Sequence, residues 1–346
     1  MSATTTAPSP KRTAAAGGAP QRGILHGVTW LVWRQHRIPI IAGAALLVAV
    51  AAAVAEQHSG MVTFIRTNHL AGCTASAGSA HCAAVAAKIR EFSGLYESNF
   101  NHASVLAAQI PLVIGVFFGA PLLARELESG TYRLAWTQSV TRTRWVLVKL
   151  CFPMALIAVA TAVLSCLWDW WWRAEASLFN TVRWQDGVPF DLIGAAPVAL
   201  SLLALTVGAA LGLLLRRTVT AMLGTFVTTG LLEFAISQLR PYLGPTSMAV
   251  SRNPLVTPET SASAWVTQSG YVTSSGASLP DSTCSFQGEK APTGCFQAHD
   301  ITGQFVRFHP AGQMWSLNWA EAGVCLAAAA ALAAWMVWRV SRRPLV

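Results

Sequence analysis

Charged residues are scarce in this chain. Of its 346 residues only 11% are Asp, Glu, Lys or Arg, whereas 53% are hydrophobic. The mean hydropathy is +0.45. A soluble domain with this much apolar surface would aggregate, so the composition excludes an ordinary soluble protein and indicates an integral membrane protein.

The sequence motifs of common enzymes are also missing. The chain contains no G-x-x-x-x-G-K-[ST] phosphate loop, no H-E-x-x-H, no G-x-S-x-G and no Cys-x-x-Cys. His299 and His309 lie near Asp300, but without a third ligand at a recognisable spacing we expect them in a solvated loop. We therefore predict that the chain is not an enzyme, with no catalytic residue, no metal site and no cofactor of its own.

Long apolar runs take the place of such motifs. A helix needs about 20 mostly apolar residues to cross a hydrocarbon layer about 30 Å thick, because each residue adds about 1.5 Å. The sequence predicts an all-α integral membrane protein with one six-helix transmembrane domain at 38–346. Its transmembrane helices are predicted at about 38–55, 105–124, 146–168, 192–215, 219–239 and 317–338.

The remaining segments differ in composition. Residues 1–23 are rich in Ala, Thr, Pro, Ser and Gly, which predicts a disordered cytoplasmic tail. Residues 24–37 combine one apolar face with a cationic end, which predicts an interfacial connecting helix. A cleaved secretory signal ending near Ala55 is the alternative, although its apolar run is longer than a usual signal core. Residues 56–104 and 240–316 are predicted as two long extracytoplasmic loops. A short amphipathic helix can form at 83–100 in the first, and the prolines of the last forbid long helices.

Basic residues are concentrated on one side of the predicted bundle. If both termini share that side, fifteen Lys and Arg residues fall there, with only Glu126 and Glu128 among the acidic residues. Short segments rich in Lys and Arg stay in the cytoplasm, so we predict a multi-pass plasma-membrane protein with both termini cytoplasmic. The formal net charge of +9 then reflects topology. We expect membrane lipid, and no nucleic acid, among its partners.

Four of the seven cysteines fall in the predicted extracytoplasmic loops. Cys73 and Cys82 lie in the first loop, and Cys284 and Cys295 lie in the last. An oxidising compartment would allow each pair to form a disulfide bond. Two pairs of free thiols are the alternative.

Glu233 is the carboxylate that lies clearly within a predicted span, the fifth, which also carries Thr229. An ionised group near the bilayer centre costs on the order of 3 kcal/mol, so Glu233 is expected to face protein or water. One interpretation is that Glu233 and Thr229 line a transport pathway, which could meet cationic cargo. The other is that Glu233 is protonated or hydrogen-bonded to a neighbouring helix. Glu321 is close enough to a span end that we expect it to be hydrated.

Small residues recur at a spacing of four within two spans. Gly115 and Gly119 lie in the second span, and Gly208 and Gly212 lie in the fourth. This spacing allows the backbones of two helices to approach closely. It predicts helix packing in general and supports dimerisation only weakly.

A dense polar segment, 125–145, separates the second and third apolar runs. It carries Arg125 and Arg133 beside Glu126 and Glu128, and Gly130 can supply a turn or end a helix. Such a segment can bind a partner through both signs of charge. An ordinary solvated cytoplasmic loop explains it equally well.

The stretch PLLARELESGTYRLAWTQSVTRTRWVLVKL and the order of elements resemble permease subunits of type-2 ATP-binding cassette (ABC) exporters, especially those of high-GC bacteria. In that family a coupling helix between the second and third spans docks into a separate ATPase subunit. Residues of this chain that match or flank the family's acidic Gly-Thr motif are Arg125, Glu126, Glu128, Ser129, Gly130, Thr131 and Arg133.

The resemblance implies a permease that moves a drug, lipid or antibiotic-like substrate outward. It further implies two copies of an ABC ATPase that bind ATP and Mg, and a permease dimer made of this chain alone or with a similar one. The alternative is a polytopic membrane receptor or assembly protein without ATP-driven transport, which would behave normally without any ATPase.

Overall fold

The computed structural model describes residues 28–73, 80–131, 141–173, 178, 184–185, 188–261, 263–284 and 293–342. Within these residues six helical segments are long and apolar enough to cross a membrane, which confirms the predicted mostly helical membrane fold. We call them spans 1 to 6 in chain order. Their bounds are Ile41–Thr67, Ala86–Ser129, Arg142–Arg173, Ala196–Leu215, Thr218–Tyr242 and Ala311–Arg342.

Span 1 belongs to a helix that runs without a break from Val28 to Thr67. The structure therefore differs from the prediction of an interfacial helix at 24–37 and a span that ends at residue 55. Residues 56–67 are polar enough to interrupt the apolar run, but Met61 and Ile65 lie four residues apart and are both buried. Their burial against Phe92 and Phe100 extends the helix. The predicted tail at 1–23 lies outside the described residues.

Span 2 is built from several helical segments in series. Helices Ala86–Phe92, Ser98–Ala107, Ile110–Ile114 and Ala120–Ser129 are joined by π-helical turns at Ser93–Glu97 and Gly115–Gly119 and by a short turn before Pro111. Most of the described part of 56–104 is therefore helix that extends spans 1 and 2, so the predicted long loop is much shorter than expected and the helix predicted at 83–100 is part of span 2. Its apolar residues were too widely spaced to form a continuous run, but they pack on span 3 through Trp168 and Trp171.

Span 4 lies at the centre of the bundle. Most of its residues are buried, and it contacts spans 2, 3, 5 and 6. Against span 2 the approach is backbone to backbone. A Cβ atom added to Gly208 would lie 2.4 Å from the carbonyl oxygen of Gly115, and one added to Gly119 would lie 2.6 Å from that of Leu205. The predicted close approach at these glycines is confirmed.

A four-stranded antiparallel sheet occupies part of the segment predicted as the last loop. Its strands are β1 (Ser247–Ser251), β2 (Trp265–Thr273), β3 (Ser278–Pro280) and β4 (Ile301–His309), in the order β1-β4-β2-β3. A helix at Thr293–Ala298 packs beside it. The prediction of a loop over 240–316 missed this sheet, because prolines were interpreted only as helix breakers. We call the end of the bundle next to the sheet the sheet end.

The contact between spans 2 and 4 generates a stability prediction. Replacement of Gly208 by Ala should lower the free energy of unfolding by about 1–3 kcal/mol, because the new methyl group overlaps backbone atoms of span 2. Thermal unfolding in detergent, followed by tryptophan fluorescence, measures the change.

Gly230→Ala is the matched control. This glycine is also inside a helix, but nothing lies within 4 Å of an added Cβ. Alanine is the better helix former, so the control should leave stability unchanged or raise it slightly. Equal melting temperatures for the two variants would contradict the close approach.

Candidate functional site

The end of the bundle opposite the sheet holds the acidic part of the polar segment. Glu126, near the end of span 2, forms an ion pair with Lys149 of span 3. The Lys149 residue is only 7% exposed, and its ammonium group lies 5.5 Å from the centre of the Trp145 ring. A charge this deeply buried needs a partner, so the pair fastens span 2 to span 3.

Glu128 connects span 2 to span 5. Its carboxylate accepts hydrogen bonds from the Thr218 amide at 2.9 Å and from the Thr218 hydroxyl at 2.6 Å. Thr218 is the first residue of the span 5 helix, and Arg217 before it makes no side-chain cap. Glu128 therefore satisfies a free amide at a helix N-terminus, where a negative charge is also favourable.

The rest of the predicted coupling motif lies at the surface or outside the described residues. Gly130 adopts a φ of +72° and ends the span 2 helix, and the Ser129 and Thr131 hydroxyls lie 3.0 Å apart. Arg125, Ser129 and Thr131 are exposed. Arg133 and the other residues from 132 to 140 lie outside the described residues. The two glutamates thus bind their own chain, and the neighbouring exposed residues are available to a partner.

Span 5 carries both predicted pathway residues on one face. Thr225, Thr229 and Glu233 follow one another at intervals of four residues, which is about one helical turn. Thr225 donates a hydrogen bond to the Ala221 carbonyl at 2.7 Å. In contrast, the Thr229 hydroxyl oxygen and the Glu233 Oε1 atom are buried without a hydrogen-bond partner among the described residues. Such atoms are rare in folded proteins and call for an explanation.

A buried cluster of charges lies at the sheet end. The Arg240 guanidinium donates to Glu321 of span 6 through Nε at 2.8 Å and Nη2 at 3.2 Å, and to Asp191 of the short helix Val188–Leu192. It also lies 4.2 Å from the centre of the Phe190 ring. Burial raises the pKa of the Asp191 carboxyl above its ordinary value, and Arg240 opposes that rise.

The expectation that Glu321 is hydrated is wrong, because only 2% of the residue is exposed. Position near a span end indicated water, but the sheet and the short helix cover this end. The sequence does hold a signal for the pair. Arg240 directly follows the predicted fifth span (219–239) and Glu321 lies near the start of the predicted sixth (317–338), so opposite charges stand at adjacent ends of consecutive predicted spans.

Asn318 fixes the entry into span 4. Its Oδ1 atom accepts hydrogen bonds from the Ala195 and Ala196 amides at 2.7 and 3.1 Å, and its amide group donates to the Ile193 carbonyl at 2.8 Å. Gly194 between them has a φ of +93°, and a Cβ there would lie 2.4 Å from Asn318 Oδ1. Ser165 of span 3 holds the same glycine by two hydrogen bonds. Spans 3, 4 and 6 are thus fixed to one another at this turn.

His309 attaches the sheet to the bundle. Its two ring nitrogens lie 3.0 Å from the Pro241 carbonyl oxygen and 2.8 Å from the Gln313 side-chain oxygen. The residue is completely buried, so the expectation of a solvated loop is wrong for His309. No group of three or more His, Cys, Asp or Glu side chains that could hold a metal occurs within the described part of the chain.

The four loop cysteines are paired as the sequence suggested. Cys73 and Cys82 lie at disulfide distance with Cα atoms 5.5 Å apart, and Cys284 and Cys295 do so with Cα atoms 5.9 Å apart. The first pair closes the turn after span 1, and the second joins the helix Thr293–Ala298 to the turn after β3. Both pairs lie away from the residues that join spans 2, 3 and 5 at the opposite end.

The charge cluster generates a second stability prediction. Replacement of Arg240 by Met should lower the free energy of unfolding by about 3–5 kcal/mol, because it leaves the Glu321 carboxylate buried without its partner. The double variant Arg240→Met with Glu321→Met should recover part of this loss. Melting temperatures in detergent measure both.

Arg252→Met is the control, since Arg252 is exposed beside β1 and its loss should change stability little. The single variant Glu321→Met completes the comparison. If the stability losses of the two single variants add up to the loss of the double variant, Arg240 and Glu321 do not stabilise the protein as a pair.

Comparison with known proteins identifies the family. Residues 44–240, more than half of the chain, match the family described as ABC-2 membrane transporter related. This region includes most of span 1, all of spans 2 to 4 and nearly all of span 5. No curated protein and no solved structure matches. The chain therefore belongs to the ABC-2 membrane transporter related family and is a membrane transport subunit that is not itself catalytic, with ATP hydrolysis residing in a partner ABC ATPase.

Proposed function

We propose that the chain is the permease of an ABC exporter and moves a drug-like, lipid or antibiotic-like substrate out of the cell. Two ATPase subunits bind ATP and Mg and dock beneath a dimer, formed by two copies of this chain or by this chain and a similar permease. The observation that carries this proposal is the pair of polar contacts made by Glu126 and Glu128, which join spans 2, 3 and 5 at one end.

These contacts give the coupling region a physical role. Closure of the ATPase subunits displaces the polar segment at 125–145. Because Glu126 is bound to Lys149 and Glu128 to Thr218, the displacement reaches three spans together. The spans then exchange between an inward-open and an outward-open packing. In this mechanism the glutamates transmit the motion, and exposed Arg125, Ser129 and Thr131 contact the ATPase.

The substrate route follows the polar face of span 5. Thr229 and Glu233 are the groups that we assign to it, because their buried oxygen atoms have no hydrogen-bond partner among the described residues. A polar group in a membrane span that its own protein does not satisfy is a candidate for contact with cargo or water.

We assign the end with the coupling region to the cytoplasm, and both termini with it, in the plasma membrane. Support comes from the positions of exposed arginines and of the two cysteine pairs. Exposed arginines lie at this end in spans 3 and 6 and in the turn before span 5, whereas both cysteine pairs lie at the other end. Lys and Arg retain short segments in the cytoplasm, and disulfides persist in oxidising compartments.

Labelling of single cysteines tests this orientation. In a background without Cys151, Cys166 and Cys325, an impermeant maleimide should label Ser275→Cys, in the exposed turn after β2, in intact cells. It should label Thr131→Cys only after the cells are lysed. The reverse pattern would overturn the orientation.

Co-purification tests the ATPase contact. Charge reversal of Arg125 to Glu should reduce recovery of the ATPase with the tagged permease by at least about fivefold, since an interface anchor is worth more than about 1 kcal/mol. Glu126 and Glu128 are poor test positions, because each holds spans together.

Arg66→Glu is the matched control. Arg66 is also exposed but lies at the end of span 1 opposite the coupling region, so its reversal should leave recovery unchanged. A wild-type permease that purifies and behaves normally without any ATPase would favour the alternative of a receptor or assembly protein.

A further inference from the structure

Two buried oxygen atoms on span 5 lack partners, and they lie one turn apart. Thr229 is 1% exposed, and its hydroxyl oxygen accepts and donates no hydrogen bond among the described residues. The Glu233 Oε1 atom is also buried and also has no hydrogen-bond partner among the described residues. A threonine inside a helix can bond to the carbonyl four residues earlier, as Thr225 does with Ala221. Thr229 does not, so its hydroxyl is available to another group.

The charges around Glu233 are unbalanced. Asp191 lies close enough to act on the Glu233 carboxylate by repulsion. Arg240 is nearby in sequence, but it binds Asp191 and Glu321, and no ion pair joins it to Glu233. Among the described residues this region therefore holds three carboxylates and one guanidinium. A further positive charge would relieve the repulsion between them.

The polar face of span 5 lies against span 2. A Cβ atom added to Gly115 of span 2 would lie 3.2 Å from the Thr225 methyl group. The polar face therefore points at span 2 at the turn that contains Thr225. Leu232 and Ile236, on another face of the same helix, pack with spans 4 and 6. A small cavity of about 20 Å³ between spans 2, 3 and 4 is lined by Asp191, Thr161 and Ser201, and it has room for about one water molecule.

We infer that Thr229 and Glu233, with Asp191 beside them, bind a protonated amine of the transported substrate. This inference rests on the proposed transport function and names the substrate class for the same route. An ammonium group donates hydrogen bonds and carries a positive charge, so it satisfies the hydroxyl oxygen and the carboxylate together. A neutral or anionic substrate leaves the carboxylate unpaired. A calcium ion needs six or more oxygen ligands, which this face does not offer.

Binding to the purified full-length permease in lipid nanodiscs tests the inference without ATP. The probe is dansylcadaverine, whose primary ammonium is joined to a fluorescent group, and N-pentyl dansylamide is the same molecule without the ammonium. Dansylcadaverine should bind saturably. Glu233→Gln should weaken this binding by about tenfold or more, and Thr229→Val by about threefold, because a charged hydrogen bond is worth more than a neutral one.

Three comparisons make the outcome specific. Glu233→Asp should retain part of the affinity, and Glu259→Gln, which removes an exposed carboxylate outside the spans, should change nothing. Binding of N-pentyl dansylamide should be the same in every variant. Equal affinity for dansylcadaverine in wild type and Glu233→Gln, or no saturable binding to wild type, overturns the inference.

A transport assay separates this inference from the proposed function. Inside-out vesicles that contain the permease and its ATPase are supplied with ATP and dansylcadaverine. ATP-driven uptake that Glu233→Gln lowers supports both. Glu233-dependent binding without ATP-driven uptake leaves the amine site in place and overturns export. ATP-driven uptake that is identical in Glu233→Gln and wild type supports export and overturns the amine site.

Discussion

The backbone contact between spans 2 and 4 is the constraint on which the bundle depends. Inside a membrane the lipid is as apolar as the side chains, so helices gain little by burying hydrophobic surface and associate through close packing and polar contacts. Gly119, Gly208 and Gly212 remove the side chains that would hold the two helices apart. A π-helical turn at Gly115–Gly119 lies at the same place. Span 4 can therefore occupy the centre and provide a surface for spans 3, 5 and 6.

Polar contacts then fix the two ends of this packed centre. At the end opposite the sheet, Glu126 and Glu128 join span 2 to spans 3 and 5. At the sheet end, Asn318 and Arg240 join span 6 and span 5 to the segment before span 4. Hydrogen bonds and ion pairs are worth most where water is excluded, and Lys149, Arg240 and Asn318 are all buried, whereas Glu128 is exposed. Between the two ends, the Thr229 hydroxyl and the Glu233 Oε1 atom make no such contact with any described residue.

The sequence predicted those parts of the fold that depend on local composition. Six apolar runs predicted the six spans, and the spacing of the glycines predicted a close helix contact, which the structure places between spans 2 and 4. The lengths of spans 1 and 2 could not be predicted, because residues such as Met61 and Phe92 are buried by contacts between distant parts of the chain. The same reason applies to Glu321, whose burial depends on Arg240 and on the covering sheet.

The sheet is a different case, because its signal was present in the sequence. In β4 the first residues alternate between buried and exposed positions, and Phe305 and Val306 are buried at the centre. Val, Ile, Tyr and Phe are frequent in β2 and β4, as is typical of strands. The prolines between the strands end helices, but they also separate strands. Strand-forming residues in runs of nine, with prolines between the runs, indicate a sheet.

Span 5 connects the coupling region to the proposed amine site. Its helix is continuous from Thr218 to Leu239, so Glu233 lies about 22 Å along the axis from the end that Glu128 holds. At its other end Arg240 is bound to span 6 and to the helix before span 4. Separation of that buried cluster would cost about 3–5 kcal/mol. Movement of span 5 together with span 6 and this short helix keeps the cluster intact. Under the proposed mechanism, displacement at Glu128 therefore reaches span 6 and this short helix through span 5, and the surroundings of Thr229 and Glu233 change with it.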